Sequence, residues 1–334
     1  MGVPIGDLLP RTKIDLEHID TVAIDAYNAI YQFLSIIRQR DGTPLMDSEG
    51  RITSHLSGLF YRTANILEAG VKPVYVFDGE PPQMKTGTVA KRRETRERAT
   101  QEWVQAKAEG RADAFKYAQM SARIDNQVLE SSLALLRYLG IPLVLAPSEG
   151  EAQAAYMTIK GDVSYTGSQD ADALLFGTPR LVRNLTITGR RKLPGKNVYV
   201  SISPELFELD EILSTLEITR EQLIEVGILV GTDYNNGVKG VGPKKALTMI
   251  KTLGIEDALE KLETHIDYGP IKQFFLHPDV TDQYDLSWTA PEETELLSFL
   301  CDEHDFSKDR VENTLKRITS AQQDADQRSL AQWM

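Results

Sequence analysis

Two aspartates stand where hydrophobic runs of the sequence end, and this position favours metal chemistry. Asp25 follows the apolar residues 22–24, and Asp78 follows the apolar residues 74–77. If both runs are strands of an open parallel sheet, their carboxyl ends meet at the edge where ligands bind. Carboxylates brought together repel each other unless a cation or a proton neutralises them, and their oxygens suit Mg²⁺ or Mn²⁺. The alternative is that each Asp caps the following helix, which is favoured for either residue alone.

Five more acidic residues follow other predicted elements, and they are Glu149, Glu151, Asp170, Asp172 and Asp233. The elements concerned are strands predicted over 141–146 and 163–166 and an apolar helix over 221–230. Acids at the ends of successive elements indicate a two-metal site for phosphodiester hydrolysis, in which one metal lowers the pKa of the attacking water. Asp is also a common loop residue, so Asp233 counts only together with the others.

The pair Glu149 and Glu151 has a competing structural explanation. Ser148 and Glu151 have the Ser-x-x-Glu spacing of a capping box, which explains Glu151 and leaves Glu149 without a role. Residues two apart do not share a face within a helix, so the two glutamates converge only if they lie in its first turn.

A glycine-rich segment, 237–242, precedes a predicted helix that begins at Pro243. It begins like a P-loop, but Pro243 stands where that motif requires Lys. Backbone amides of such a turn and of the helix N-terminus bind phosphate, and Lys244 and Lys245 add positive charge. The pattern resembles helix–turn–helix phosphate clamps of DNA-repair proteins, with Gly237, Gly240 and Gly242 in the turn. The alternative is an ordinary glycine-rich loop.

Lys85 and Arg92 are seven residues apart at the start of a basic segment that extends to Arg123. If this segment is helical, they share one face and could hold a scissile phosphate. The alternative is that both side chains are simply solvated.

The elements that must position these residues alternate between strands and helices. This order predicts an α/β fold with a central, mostly parallel, twisted sheet flanked by helices. The charged stretch 89–123 predicts two helices broken at Gly110 that project into solvent. After Thr219 we expect mostly helix, and after Thr319 a disordered tail.

Composition limits the class of protein. The 334 residues are 41% hydrophobic and 26% charged, as in soluble globular proteins, and no run reaches the length of a membrane span. The N-terminus lacks the regions of a signal peptide, and the single cysteine, Cys301, suits a reducing compartment. We therefore expect an intracellular protein of the cytoplasm or nucleoid with no membrane partner. The net charge of −12 coexists with basic patches, which fits contact with phosphate at selected places.

Seven segments resemble the archaeal and eukaryotic flap endonuclease family, in order over essentially the whole chain; they are Ala23–Ala26, Tyr31–Leu34, Val74–Gly79, Ala146–Ala152, Asp170–Asp172, Gly231–Tyr234 and Gly240–Lys244. The resemblance implies a PIN-like 5′-nuclease fold with a helical arch, from about residue 84, through which a single-stranded 5′ flap threads. It also implies a helix–turn–helix DNA-binding element.

The implied domain organisation has five parts. Residues 1–96 would form the N-terminal part of the nuclease domain, 97–125 the arch or linker, and 114–255 the internal part with the helix–turn–helix. Residues 256–319 would form a C-terminal helical region, and 326–334 a tail that binds a sliding clamp.

The resemblance also assigns roles to the acidic residues. One Mg²⁺ would be held by Asp78, Glu149 and Glu151, and a second by Asp170, Asp172 and Asp233, with Mn²⁺ able to substitute. Asp25 would act through metal-bound water. Lys85 and Arg92 would stabilise the phosphate in the transition state.

Contacts with DNA follow from the same resemblance. Tyr31 would stack on the base beside the scissile bond, although a buried helical tyrosine is the alternative. The amino group of Gly2, freed by removal of the initiator methionine, would lie near the site. The turn 237–242 would hold duplex DNA, with a bound K⁺.

The C-terminal sequence resembles the peptide that binds the sliding clamp, proliferating cell nuclear antigen. The matching positions are Gln327, Leu330, Trp333 and Met334, where Met334 replaces the usual last aromatic residue. Met fills irregular apolar pockets, so we expect weakened clamp binding. The alternative is a frayed polar tail.

The whole pattern predicts a Mg²⁺-dependent 5′ flap endonuclease with 5′–3′ exonuclease activity, acting on branched DNA in replication, including Okazaki fragment maturation, and in repair. A noncatalytic DNA-binding scaffold for the clamp is the alternative. Seven carboxylates argue against it, because a pure binder of polyanions gains nothing from concentrated negative charge.

Overall fold

The computed structural model describes residues 2–111, 113–186, 189–192 and 199–332. At residues 83, 86–92, 189–192, 199–201, 322 and 324–332 it describes the backbone alone. Within these ranges, no helix is both long enough and apolar enough to cross a membrane.

The described residues contain a seven-stranded sheet and a separate two-stranded ribbon. The strands are β1 (Thr12–Lys13), β2 (Thr21–Asp25), β3 (Lys72–Phe77), β4 (Leu143–Leu145), β5 (Tyr165–Gly167), β6 (Arg180–Arg183), β7 (Gly189–Lys192), β8 (Tyr199–Ile202) and β9 (Glu205–Glu208). The order in the sheet is β1-β9-β6-β5-β2-β3-β4, and β7 pairs with β8. β5 pairs in parallel with β2 and β6, whereas β9 is antiparallel to β6 and β1. The predicted mostly parallel sheet is confirmed.

The register of the central strands determines which residues leave the sheet together. Ile24 of β2 pairs with Gly167 of β5. The next residues, Asp25 and Ser168, therefore lie side by side at the carboxyl edge of the sheet. The strand residues before Asp25 are buried except for the first, as expected of a central parallel strand.

The described residues also contain α-helices. They are α1 (Ala26–Ile36), α2 (Ser54–Glu68), α3 (Thr86–Ala108), α4 (Ala114–Met120), α5 (Asn126–Tyr138), α6 (Gly150–Lys160), α7 (Asp172–Leu175), α8 (Leu209–Leu216), α9 (Arg220–Val230), α10 (Pro243–Lys261), α11 (Tyr268–Leu276), α12 (Glu293–Leu297) and α13 (Lys308–Gln332). The predicted break at Gly110 is confirmed between α3 and α4, where Gly110 has a φ of 66°. The expectation of disorder after Thr319 is wrong, because α13 continues through Gln332.

The chain divides into two compact units, and the first contains Met1–Asp25, Val76–Thr88 and Leu145–Gln283. Its core joins β6 and β9 to α7, α9, α10 and α11, and fully buried members include Leu181, Leu223 and Phe275. Val3 and Ile5 belong to the same core, so the N-terminal segment is fixed within this unit.

The second unit contains Ala26–Tyr75, Val89–Val144 and Tyr284–Met334. Helix α2 is its centre and packs against α1, α5 and α13. Gly58 of α2 allows α1 to approach closely, because a Cβ at this position would lie 2.2 Å from Cγ of Phe33.

We expect Gly58→Ala to lower the free energy of unfolding by about 1–3 kcal/mol, because overpacking outweighs the better helix propensity of alanine. Gly269→Ala in α11 is the control, since a Cβ there meets nothing within 4 Å. That substitution should be neutral or stabilise by up to about 1 kcal/mol. Urea denaturation measures both, and an unchanged midpoint for Gly58→Ala would contradict the close packing of α1 on α2.

Candidate active site

The segment after β3 is bound to the segment after β4 by main-chain hydrogen bonds. Ala146 N–H donates to the Phe77 carbonyl at 2.9 Å, and Gly79 N–H donates to the Ser148 carbonyl at 2.7 Å. This ladder brings Asp78 next to the N-terminus of α6. Asp78 Oδ1 accepts a hydrogen bond of 2.7 Å from Gly150 N–H.

Two glycines make this approach sterically feasible. A Cβ at Gly79 would lie 2.1 Å from the Ala146 carbonyl oxygen, and a Cβ at Gly150 would lie 2.8 Å from Asp78 Oδ1. Since real Cβ atoms do not tolerate such distances, a larger residue at either position would displace Asp78. Close packing thus requires glycine at position 79, after Asp78, and at position 150, between Glu149 and Glu151.

Glu149 and Glu151 occupy the N-cap and the first turn of α6, so both side chains lie at one end of the helix. The capping-box alternative is wrong, because Glu149 is the N-cap and its own side chain makes no capping hydrogen bond. Glu151 Oε1 instead accepts a hydrogen bond of 2.5 Å from Ser168 Oγ. Ser168 Oγ also accepts from Asp170 N–H at 3.1 Å, which connects the two acidic pairs.

Asp172 begins α7 and contacts the start of the chain. Its Oδ1 accepts a hydrogen bond of 2.6 Å from Val3 N–H. A Cβ at Gly2 would lie 2.7 Å from Asp172 Oδ1 and 2.8 Å from Asp170 Cβ. Gly2 therefore lies directly against this acidic pair, next to the residues with which sequence analysis associated it.

Lys85 provides positive charge among these acids. It ends a 3-10 turn, Gln83–Lys85, just before α3. Its Nζ lies 2.6 Å from Glu149 Oε2 and 3.8 Å from Asp233 Oδ2. Asp233 follows Gly231, whose φ of 114° turns the chain out of α9.

The seven acidic residues form one electrostatic group, here named the carboxylate cluster, and its members are Asp25, Asp78, Glu149, Glu151, Asp170, Asp172 and Asp233. Burial raises the pKa of Glu151 well above its usual value, and the charges of Asp172, Asp170 and Asp25 raise it further. Burial also raises the pKa of Asp172 to about 7, against the Val3 hydrogen bond that lowers it and with the charge of Asp233 that raises it.

The other side of the carboxylate cluster is partly neutralised by Lys85. Burial raises the pKa of Asp78 and of Glu149, the Lys85 ammonium lowers both, and the charge of Asp233 raises both. The cluster thus has more buried negative charge than Lys85 alone balances. Such a site favours protons or further cations.

In the described part of the chain, no three His, Cys, Asp or Glu side chains are grouped so as to hold a metal ion. Oxygens of four acids instead accept hydrogen bonds from protein donors: Gly150 N–H, Lys85 Nζ, Ser168 Oγ and Val3 N–H. The chemistry of the donor set still fits a hard divalent cation, because every side-chain ligand candidate is a carboxylate and the cluster is partly buried.

The glycine-rich turn joins α9 to α10 as predicted. Gly237 has a φ of 64°, and a Cβ there would lie 2.3 Å from the Val230 carbonyl oxygen, so this position requires glycine. Gly240 also has positive φ, and Gly242 is the N-cap before Pro243. Lys244 and Lys245 are exposed at the start of α10.

The remaining predicted residues lie elsewhere in the chain. Tyr31 is in α1, in the second unit, and the Arg96 guanidinium lies 5.5 Å from its ring centre. The backbone of Arg92 belongs to α3, and those of Gln327 and Leu330 to α13, but their side chains lie outside the described residues, as do Trp333 and Met334 altogether. Sequence reasoning missed Ser168 and the Val3 amide, because no local pattern relates either one to an acid far along the chain.

Two regions of the chain match models of a known protein class. The model of the XPG N-terminal domain matches residues 11–99, and that of the XPG I-region matches residues 140–233. The two ranges include all seven members of the carboxylate cluster. The chain therefore contains the two regions that define the XPG class of nucleases.

Relatives that match over their full length identify the family within this class. The chain is 58% identical over 337 residues to flap endonuclease 1 of Pyrococcus horikoshii, covering 100% of this chain and 98% of the relative. It is 55% identical to flap endonuclease 1 of Archaeoglobus fulgidus, with 100% of both chains covered. The chain belongs to the flap endonuclease family.

Solved structures agree with this assignment. Flap endonuclease-1 from Methanococcus jannaschii superimposes with a TM-score of 0.76 at 42% identity, covering 96% of this chain and 98% of that chain. The catalytic core of Rad2, solved in complex with a DNA substrate, gives a TM-score of 0.69 at 24% identity and covers 94% of this chain and 97% of that one. At 24% identity, the similarity to Rad2 supports the fold alone.

We expect Ser168→Ala to lower the turnover of flap cleavage roughly 10- to 100-fold, as loss of a hydrogen bond that orients a ligand does. The hydroxyl positions Glu151 and the Asp170 amide, so Ser168→Thr should restore most of the activity. Ser164→Ala, which removes a hydroxyl before β5 that contacts Thr21 Oγ1, is the control and should leave turnover unchanged. Equal turnover for Ser168→Ala and wild type would show that the Ser168 hydrogen bond does not position Glu151 for cleavage.

Proposed function

We propose that this structure-specific nuclease cuts branched DNA at the base of 5′ flaps and also degrades DNA as a 5′–3′ exonuclease. The convergence of seven carboxylates with Lys85 at one edge of the sheet carries this proposal. Family membership makes the chain an enzyme of DNA replication and repair that hydrolyses phosphodiester bonds. Within replication we assign it to Okazaki fragment maturation, inside the cell at the nucleoid.

The carboxylate cluster is our proposed site for two Mg²⁺ ions, for which Mn²⁺ can substitute. Asp78, Glu149 and Glu151 would hold one ion; Asp170, Asp172 and Asp233 would hold the other, with Asp25 acting through water. When bound, such ions lower the pKa of the attacking water and neutralise charge on the phosphate. Crowding and burial of the carboxylates support this assignment, since both raise the free energy of the uncompensated negative charge.

The protein's own groups supply orientation. Lys85 and Arg92 are our proposed phosphate ligands, since a charge placed where negative charge develops stabilises the transition state. Tyr31 would stack on the base beside the scissile bond, and the flat ring would tolerate any base. The Arg96 guanidinium over that ring limits its orientations, which supports a fixed platform.

The α9–α10 turn is our proposed contact with the duplex. Its backbone amides and the α10 N-terminus favour a phosphate, and Lys244 and Lys245 add charge that is exposed to solvent. By resemblance to the family we extend the proposal to a K⁺ ion held at this turn. The Gly2 amino group, next to the acidic pair at 170–172, would contact the DNA strand near the scissile bond.

The end of α13 is our proposed clamp-binding element. Gln327, Leu330, Trp333 and Met334 would contact proliferating cell nuclear antigen, and a helix through Gln332 would place the first two on successive turns. Trp333 supplies the large apolar anchor that such interfaces use.

The direct test is cleavage of a 5′-labelled double-flap DNA in Mg²⁺, with EDTA as the metal-free control. We expect one cut at the flap base, abolished in EDTA, and reduced at least about 1000-fold in Asp170→Asn, because a neutral amide cannot replace a ligand carboxylate. DNA binding, measured by fluorescence anisotropy, should remain. Asp210→Asn on the exposed start of α8 is the matched control and should cut normally. Tight binding without any cut in Mg²⁺ would favour the scaffold function instead.

Deletion of residues 327–334 tests the clamp assignment. The shortened protein should cut the isolated flap at the wild-type rate and lose stimulation by the clamp, because the carboxylate cluster lies outside the deleted segment. Undiminished stimulation would refute the assignment of this tail.

A further inference from the structure

Lys85 is held by the carboxylate cluster rather than extended into solvent. Its side chain is 13% exposed and that of Glu149 is 10% exposed, with 2.6 Å between Nζ and Oε2. The pair Arg93–Glu97 of the same chain is 81% and 59% exposed, which is typical of a surface ion pair that contributes little. The contact between Lys85 and Glu149 is therefore of a different kind, since few waters screen it.

More than one acid acts on this ammonium. Asp233 Oδ2 lies 3.8 Å from Nζ, and Asp78 adds further attraction. A lysine ammonium is a compact point charge on a flexible stem. In this position it balances three of the acids that are proposed to hold the two divalent cations.

We propose that Lys85 is the internal counter-cation of the metal-free site and competes with divalent metal for Glu149 and Asp233. This inference rests on the proposed metal function of the cluster. The Nζ contact at 2.6 Å occupies one acceptor site of Glu149 Oε2, and the ammonium charge repels a second cation there, so this carboxylate binds divalent metal better once Lys85 has left it.

The geometry of the main chain confines this movement to the side chain. Lys85 N–H donates to the Pro82 carbonyl at 2.9 Å, which holds the 3-10 turn before α3. The flexible stem can rotate the ammonium away without moving the turn. Once released, the same charge is available to a phosphate at the edge of the cluster.

The binding of divalent metal and the binding of DNA should therefore strengthen each other. A substrate phosphate that binds Lys85 removes the competitor from Glu149, so divalent metal binds more tightly to the DNA complex than to free protein. Because coupling free energies are reciprocal, metal must strengthen DNA binding by the same factor. Replacing Lys85 should raise metal affinity in free protein and reduce this part of the coupling.

The first experiment is titration of DNA-free protein with Mn²⁺, followed by isothermal titration calorimetry. Lys85→Gln should bind Mn²⁺ roughly tenfold more tightly than wild type, because a nearby positive charge has been removed from the ligands. Lys13→Gln, which makes the same charge change at an exposed residue of β1, is the control and should match wild type. Unchanged or weaker Mn²⁺ affinity in Lys85→Gln would overturn the inference.

The second experiment uses wild-type protein, so it remains decisive if the variant does not fold. The extent of Lys85 acetylation by acetic anhydride is measured by peptide mass spectrometry in EDTA and in saturating Ca²⁺, with Lys13 as internal reference. Release from Glu149 predicts several-fold faster labelling of Lys85 in Ca²⁺, and equal or slower labelling would contradict it. Absence of any Mn²⁺ binding by wild type would instead refute the proposed metal function, so the two failures are distinguishable.

Discussion

Repulsion among partly buried carboxylates is the constraint on which the other features of this molecule depend. Burial raises the pKa of Asp172 to about 7 and that of Glu151 well above its usual value, so the protein destabilises the ionised form of both groups. Hydrogen-bond donors of the protein partly offset this destabilisation. They are the Gly150 amide, the Val3 amide, the Ser168 hydroxyl and the Lys85 ammonium. Each donor stabilises one charged oxygen and fixes its direction. Main-chain hydrogen bonds hold residues 78–80 against 146–148, and glycine at position 79 permits this close approach. The approach brings Asp78 and Glu149 together.

The same constraint explains why an enzyme with a net charge of −12 can act on DNA. Negative charge concentrated at one edge of the sheet would repel a polyanion unless cations intervene at that edge. Lys244 and Lys245 carry exposed positive charge at the start of α10, and Lys85 places a further positive charge within the cluster. Lys244 and Lys245 thus lie on a different element from the acids, whereas Lys85 contacts two of them directly.

Much of the site could be predicted because its residues have strong local signals. Asp25 and Asp78 end hydrophobic strands, and the break at Gly110 and the turn before Pro243 follow from glycine and proline positions. Strand β1 gave no such signal, since Thr12–Lys13 has two residues and both are exposed. The capping box at Ser148 failed because Glu149 takes the N-cap once Asp78 binds the Gly150 amide. Contacts such as Ser168 with Glu151 depend on which strands become neighbours, and a local pattern does not contain that information.

The hydrogen bond from Val3 to Asp172 joins residues 169 positions apart. It belongs to a site whose members span residues 25 to 233 of a 334-residue chain, so assembly depends on contacts between distant parts of the sequence. Folds dominated by such contacts form slowly, since the entropy of closing long loops is lost before the contacts form. During translation, the Val3 amide cannot make this hydrogen bond until Asp172 has left the ribosome. Until residue 233 follows, the nascent polypeptide has an incomplete carboxylate cluster.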